Sequence, residues 1–106
     1  MSEYQGIPDD RKKVGKVGEV LKGNGLLDPK YSLAVWNHSP SGFAWGYEGS
    51  GPAQLALALL LEETGREEAV KFHQDFKRDV VARMPEGRWY LTSEAIQKWL
   101  AERRGK

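Results

Sequence analysis

The chain contains no cysteine. That excludes disulfides, thiolate zinc sites and cysteine nucleophiles, and it is compatible with a reducing compartment. Histidine is nearly absent too. His38 and His73 are the only two, far apart and without acidic partners at metal-ligand spacing, so no metal centre is expected. The longest apolar run, 55–61, is far short of the ~20 residues that cross a bilayer. Met1-Ser2-Glu3 opens polar and acidic with no apolar stretch behind it, so no secretory signal is expected. Neither sign of charge dominates. Sixteen basic against 15 acidic side chains leave a formal +1, which gives no global pull toward nucleic acid or an anionic membrane. A cytoplasmic protein without a cofactor is the expectation.

What is present is a generous aromatic complement, with four Trp, four Tyr and three Phe in 106 residues. Aromatics bury much area per residue, so one core can form without staples. A chain of this length buries roughly two-thirds of its unfolded surface. The expectation is a single domain over residues 1–106, with 1–16 as a partly ordered extension.

Along the chain, Tyr4 to Ile7 reads as an edge strand and 8–13 as an exposed turn. Val17 to Leu21 is a strand weakened by Gly18. Gly23-Asn24-Gly25 holds an Asn-Gly pair, a favoured hairpin turn, after which Leu26-Leu27 returns. Tyr31 to Trp36 alternates with Tyr31, Leu33 and Val35 on one face, which predicts a strand. Phe43, Trp45 and Tyr47 alternate again, predicting the second arm of a hairpin with three rings on one face.

Three helices follow from the later sequence. The first starts at Pro52 with Gly51 as its cap and Gln54 as reaching-back partner, is apolar all round from Ala53 to Leu61, and ends at Gly65. The second, 66–84, carries Ala69, Phe72, His73, Phe76, Val80 and Met84 at three- and four-residue steps. The third is capped by Thr92 and docks through Ile96, Trp99 and Leu100, following a short strand at 88–91. Strands, two helices, a strand and a helix make an α+β fold. A small, mostly antiparallel sheet of three to five strands would carry about three helices on one face.

The segment 37–56 is the most informative. Rings lead into Gly49-Ser50-Gly51-Pro52, which opens the apolar helix. Such a turn can present backbone N–H groups to an anion, with the Ser50 hydroxyl and Gln54 beside them. It can equally be a plain helix start whose glycines permit close packing. The phosphate-binding fingerprints are incomplete, since no Lys follows and Pro52 removes a donor. Phe43, Trp45 and Tyr47 could stack bases or simply fill a sheet face. Trp36 lies on the face opposite Leu33 and Val35, which marks it as the ring for an interface. A Ser39–His38 nucleophile pair is unattractive, because neighbours in sequence seldom aim at each other.

The run from Asn37-His38-Ser39-Pro40 through Gly42-Phe43-Ala44-Trp45-Gly46-Tyr47 to Gly49-Ser50-Gly51-Pro52-Ala53-Gln54 resembles the signature of a bacterial and phage family of unknown function. The resemblance extends from Tyr4-Gln5-Gly6 to Trp89-Tyr90-Leu91-Thr92. It implies a fold and an origin and brings no activity with it. Glu48 stands where the resemblance would put a glycine, and its carboxylate would repel an anion. The basic segment 11–16 looks like an extension of this member.

The leading expectation is a non-enzymatic binding or accessory protein that holds a small anionic or nucleotide-like ligand. Its site would comprise His38, Trp45, Tyr47, Gly49, Ser50, Gly51 and Gln54. The rival expectation is a protein-interaction module, a homo-oligomer or a host-factor binder, working through the all-round apolar helix or Trp36. Nucleic-acid binding is a third and weaker reading, because the basic pairs Lys12-Lys13, Lys77-Arg78 and Arg103-Arg104 sit on different elements.

Overall fold

The structure, a computed structural model, describes residues 2–9 and 18–105. The expected turn at 8–13 and the pair Lys12-Lys13 therefore lie largely or wholly outside the described residues. Four strands form one antiparallel sheet: β1 (Glu3–Pro8), β2 (Gly18–Lys22), β3 (Gly25–Leu26) and β4 (Trp89–Thr92), in the order β3-β2-β1-β4. Four helices pack against it: α1 (Lys30–Val35), α2 (Ser50–Glu63), α3 (Arg66–Asp79) and α4 (Ser93–Arg104), with a 3-10 turn at Val81–Arg83. The α+β expectation holds.

The expected edge strand at 4–7 is instead central, paired with β2 on one side and β4 on the other. Alternation decides its faces: Tyr4 and Gly6 are buried while Glu3 and Gln5 are exposed. Gly6 has to be glycine, because a Cβ there would lie 2.0 Å from Trp89 Nε1. That indole nitrogen is buried with no hydrogen-bond partner. The β2–β3 hairpin turns on Gly23-Asn24, one step earlier than the Asn-Gly pair. Gly23 takes the positive φ of 58°, as the first central position of a type II′ turn requires.

Residues 31–36 do not form the expected strand. Asp28 Oδ1 accepts from Lys30 N at 3.0 Å and Ser32 Oγ donates to Pro29 O at 3.0 Å, so local polar bonds close a helical turn after Pro29. Of this helix only Ser32 is fully buried. The second expected arm is also not a strand. Phe43 makes one isolated bridge to Gly18, with Gly18 N donating to Phe43 O at 3.0 Å. Gly42 and Gly46 have φ of 115° and 85°, which breaks the extended run at both ends. The three rings consequently do not share a face: Phe43 and Trp45 are buried and Tyr47 is exposed.

Helix α2 is the core. Every residue from Gly51 to Leu60 is buried, which accounts for its lack of a polar stripe. Its N-cap is Gly49 rather than Gly51, and its C-cap is Thr64, leaving Gly65 to cap the start of α3. Helix α3 ends at Asp79 and continues only as the 3-10 turn, short of the expected Met84. The Thr92 cap of α4 forms as expected, its Oγ1 accepting from Ala95 N at 3.2 Å.

A polar knot ties the sheet to the helices. The Glu63 carboxylate at the end of α2 accepts from the Tyr4 hydroxyl at 2.5 Å, from Ser93 Oγ at 2.6 Å and from Gln97 Nε2 at 3.2 Å. Burial would push the Glu63 carboxyl up, but these donors, with Lys22 nearby, hold it below its ordinary value. Burial and the same carboxylate drive the Tyr4 phenol far up.

Candidate functional site

Gln54 governs the loop that was expected to carry ligand. Four residues into α2, it is fully buried. Its Oε1 accepts from His38 N at 2.7 Å and Ser39 N at 3.1 Å, and its Nε2 donates to Ser32 Oγ at 2.9 Å and Trp36 O at 3.1 Å. The expected capping box with residue 51 is therefore not made. Both ends of the amide are engaged in fixing residues 32–39, which a ligand would have to break.

The other expected site residues separate. Trp45 is buried and donates through Nε1 to Gly87 O at 2.9 Å, edge-on to Trp89. Gly51 is buried against Ala44, where a Cβ would come within 2.6 Å of the alanine methyl. Gly49 lies beneath the Tyr47 ring, its would-be Cβ 2.8 Å from Cε2. Of the expected site residues at this corner, only Tyr47 and Ser50 turn exposed side chains outward. Glu48 is held by Lys77, with Oε1 to Nζ at 3.4 Å.

His38 goes instead to a cluster that spacing along the chain does not reveal. Its Nε2 meets His73 Nε2 at 2.9 Å. His73 is fully buried, and its Nδ1 lies 2.7 Å from Val70 O. A carbonyl oxygen only accepts, so Nδ1 carries the proton and Nε2 is the bare acceptor. His38 must then donate from Nε2, and both rings are neutral. Burial, with the Lys77 ammonium beside the pair, lowers the proton affinity of each ring. Any charge on His73 would lower it further for His38, and the Val70 and Ala69 carbonyls oppose the lowering for His73.

Trp36 closes the cluster. It stacks on His38 at 4.6 Å between centroids with the planes 26° apart, and meets His73 edge-on at 5.2 Å. Even so, 47 % of its surface is open. The open side lines a shallow cleft of about 540 Å³ together with Val35, Arg66, Glu67 and Val70. The end of α1 supplies one wall and the first turn of α3 the other. Tyr31, one turn back on α1, is 64 % exposed. Sequence reading found Trp36 but missed the valines and the Arg66–Glu67 pair. Val70 and His73, three apart on α3, were the available signal that a stripe turns from core toward this surface.

Of the basic pairs weighed for nucleic acid, the two among the described residues are engaged within the chain, Lys77 with Glu48 at 3.4 Å. Arg103 binds Asp75, Arg104 binds Glu68 at 2.6 Å, and Arg78 binds Asp75 at 3.0 Å. Among the described residues no group of three or more His, Asp or Glu gathers as a metal site. Nor is any described helix long and apolar enough to cross a membrane.

A sequence model of one protein family matches residues 5–102. The chain belongs to DUF6166, a family of unknown function. No curated protein and no solved structure matches it.

Proposed function

We propose that this DUF6166 member is a non-enzymatic interaction module of a bacterium or mobile element, with its recognition surface at the Trp36 cleft. The observation that carries this reading is an indole half open to solvent yet fixed on two sides, on a backbone that is itself held. His38 stacks on it, His73 meets it edge to face, and Gln54 Nε2 donates to the backbone carbonyl of Trp36. An aromatic immobilised before binding loses little further freedom on contact, which is how interface anchors gain their energy. An apolar floor of Val35 and Val70 with Arg66 and Glu67 at the margin has the apolar centre and polar rim of a protein interface. The histidines favour binding over catalysis, because each spends Nε2 on the other. Ser39 is buried with its Oγ 3.5 Å from Ser41 Oγ, which leaves it no basic partner.

Selection of peptides from a random displayed library tests the reading. Enriched peptides should carry aromatic or apolar anchors, shift the amide resonances of Trp36, Arg66 and Val70, and lose binding to Trp36→Ser. Peptides that bind that variant as well as the unaltered chain would dismiss the cleft as the recognition surface.

A small anionic or nucleotide-like ligand at 49–54 is the second reading. It is favoured by the exposed Tyr47 ring lying against Gly49 at the opening of α2, next to the exposed Ser50. Titration calorimetry with a nucleotide panel decides it, and absence of heat with every member removes it.

A further inference from the structure

We infer that the partner of the Trp36 cleft is a second copy of this chain, docked face to face about a twofold axis. The inference rests on the interaction reading above and names its partner. A twofold interface must be complementary to itself, because the same patch supplies both sides. This patch meets that condition in shape and in charge. Its centre offers a projecting ring, Trp36, beside an apolar hollow floored by Val35 and Val70. Each copy thus provides both the protrusion and the recess that receives it.

The charges fit the same operation. Arg66 and Glu67 stand next to each other at the margin, and neither makes an ion pair among the described residues. Most other charged groups of α3 behave differently: Glu68, Asp75, Lys77, Arg78 and Asp79 are paired within the molecule, while Lys71 lies over the Phe72 ring. An adjacent free cation and anion are matched by their own image, Arg66 against Glu67 of the second copy in both directions. A partner of one dominant charge would gain from one member of the pair and be repelled by the other. The all-round apolar helix, the other expected route to self-association, is excluded, since Leu55, Leu57, Leu59 and Leu60 are fully buried within one copy.

Sedimentation velocity over a concentration series reads the proposal. The unaltered chain should sediment as a dimer. Trp36→Ser and Arg66→Glu should each weaken association about thirtyfold, the effect of an interface anchor worth about 2 kcal/mol. The double exchange Arg66→Glu, Glu67→Arg should restore the dimer, because reversing both charges preserves their match across the twofold axis. Circular dichroism spectra should superimpose across the set, showing each variant folded, since these side chains are exposed or half exposed. A monomer at every concentration overturns the inference, as does a dimer indifferent to Trp36→Ser and Arg66→Glu. If the chain is monomeric while selected peptides still require Trp36, the cleft stands as a recognition surface and only the second copy is wrong. If the peptides ignore Trp36 as well, the interaction reading fails with it.

Discussion

His38 and His73 share a single hydrogen between their Nε2 atoms, 2.9 Å apart, with the buried ring oriented by the Val70 carbonyl. The pair is a neutral lock between the 36–39 loop and α3. It is lost when both rings are protonated, because each Nε2 then carries a hydrogen and neither can accept.

Acid should loosen this lock. Folding lowers the proton affinity of both rings, so below the ordinary histidine pKa of about 6.5 the unfolded chain binds more protons than the folded one. Stability is therefore complete above that value and falls as pH drops toward the lowered folded pKa values. Urea midpoints between about pH 7.5 and 5 should decline, and His38→Asn should flatten the decline. These are the only two histidines, so no other side chain titrates ordinarily in this window. A midpoint that is constant with pH would contradict the neutral pair.

Replacing Gln54 should be costly out of proportion to its size. Gln54→Leu keeps the volume but strands two backbone N–H groups and a carbonyl, and removes the donor to Ser32 Oγ. Buried groups left without partners cost about 1–3 kcal/mol each. A loss of about 3 kcal/mol or more is expected in chemical denaturation, with increased mobility of Trp36 in fluorescence anisotropy. A loss below about 1 kcal/mol would mean that the loop does not depend on this amide.

Tyr4→Phe should act at the alkaline end. The folded phenol titrates well above its ordinary value of 10.0, because it is buried and donates to the Glu63 carboxylate. Above that ordinary value the unfolded chain ionises first, so stability falls as pH rises. The variant should lose about 1–2 kcal/mol at neutral pH, the hydroxyl having served a charged acceptor. It should also show a shallower alkaline decline than the parent, measured by urea titration at successive pH values.

Gly6→Ala should disrupt the sheet at its centre. The added methyl would collide with the Trp89 indole, itself wedged between β1 and the core. Forcing a methyl into such a contact costs about 1–3 kcal/mol. Gly23→Ala meets no neighbour, but its positive φ strains any side chain, so its loss should be smaller and local. Thermal melts of the two variants separate steric collision from backbone strain.

Much of the frame was legible because it rests on short-range chemistry. An apolar helix without a polar stripe can only be central, and α2 is. The Thr92 cap and the Gly-Asn hairpin depend on residues within three or four positions of one another. Residues 31–36 were misread because alternation over six residues is also compatible with a helix. Asp28, Pro29 and Ser32 tipped the balance through local hydrogen bonds. The 43–47 arm failed as a strand because two glycines at positive φ interrupt it.

Composition and pattern alone determined that this chain would build an α+β fold around one helix without a polar stripe, since hydrophobic burial and backbone pairing follow from residue type and order. Tertiary structure alone decided that His38 would meet His73, that Gln54 would serve a loop rather than a ligand, and that Trp36 would face a cleft. Those partners stand 15 to 35 residues apart, and no local rule reaches across such distances. The packing of α1 on α2 brings Gln54 to the loop, and that of α3 on α2 brings His73 to His38.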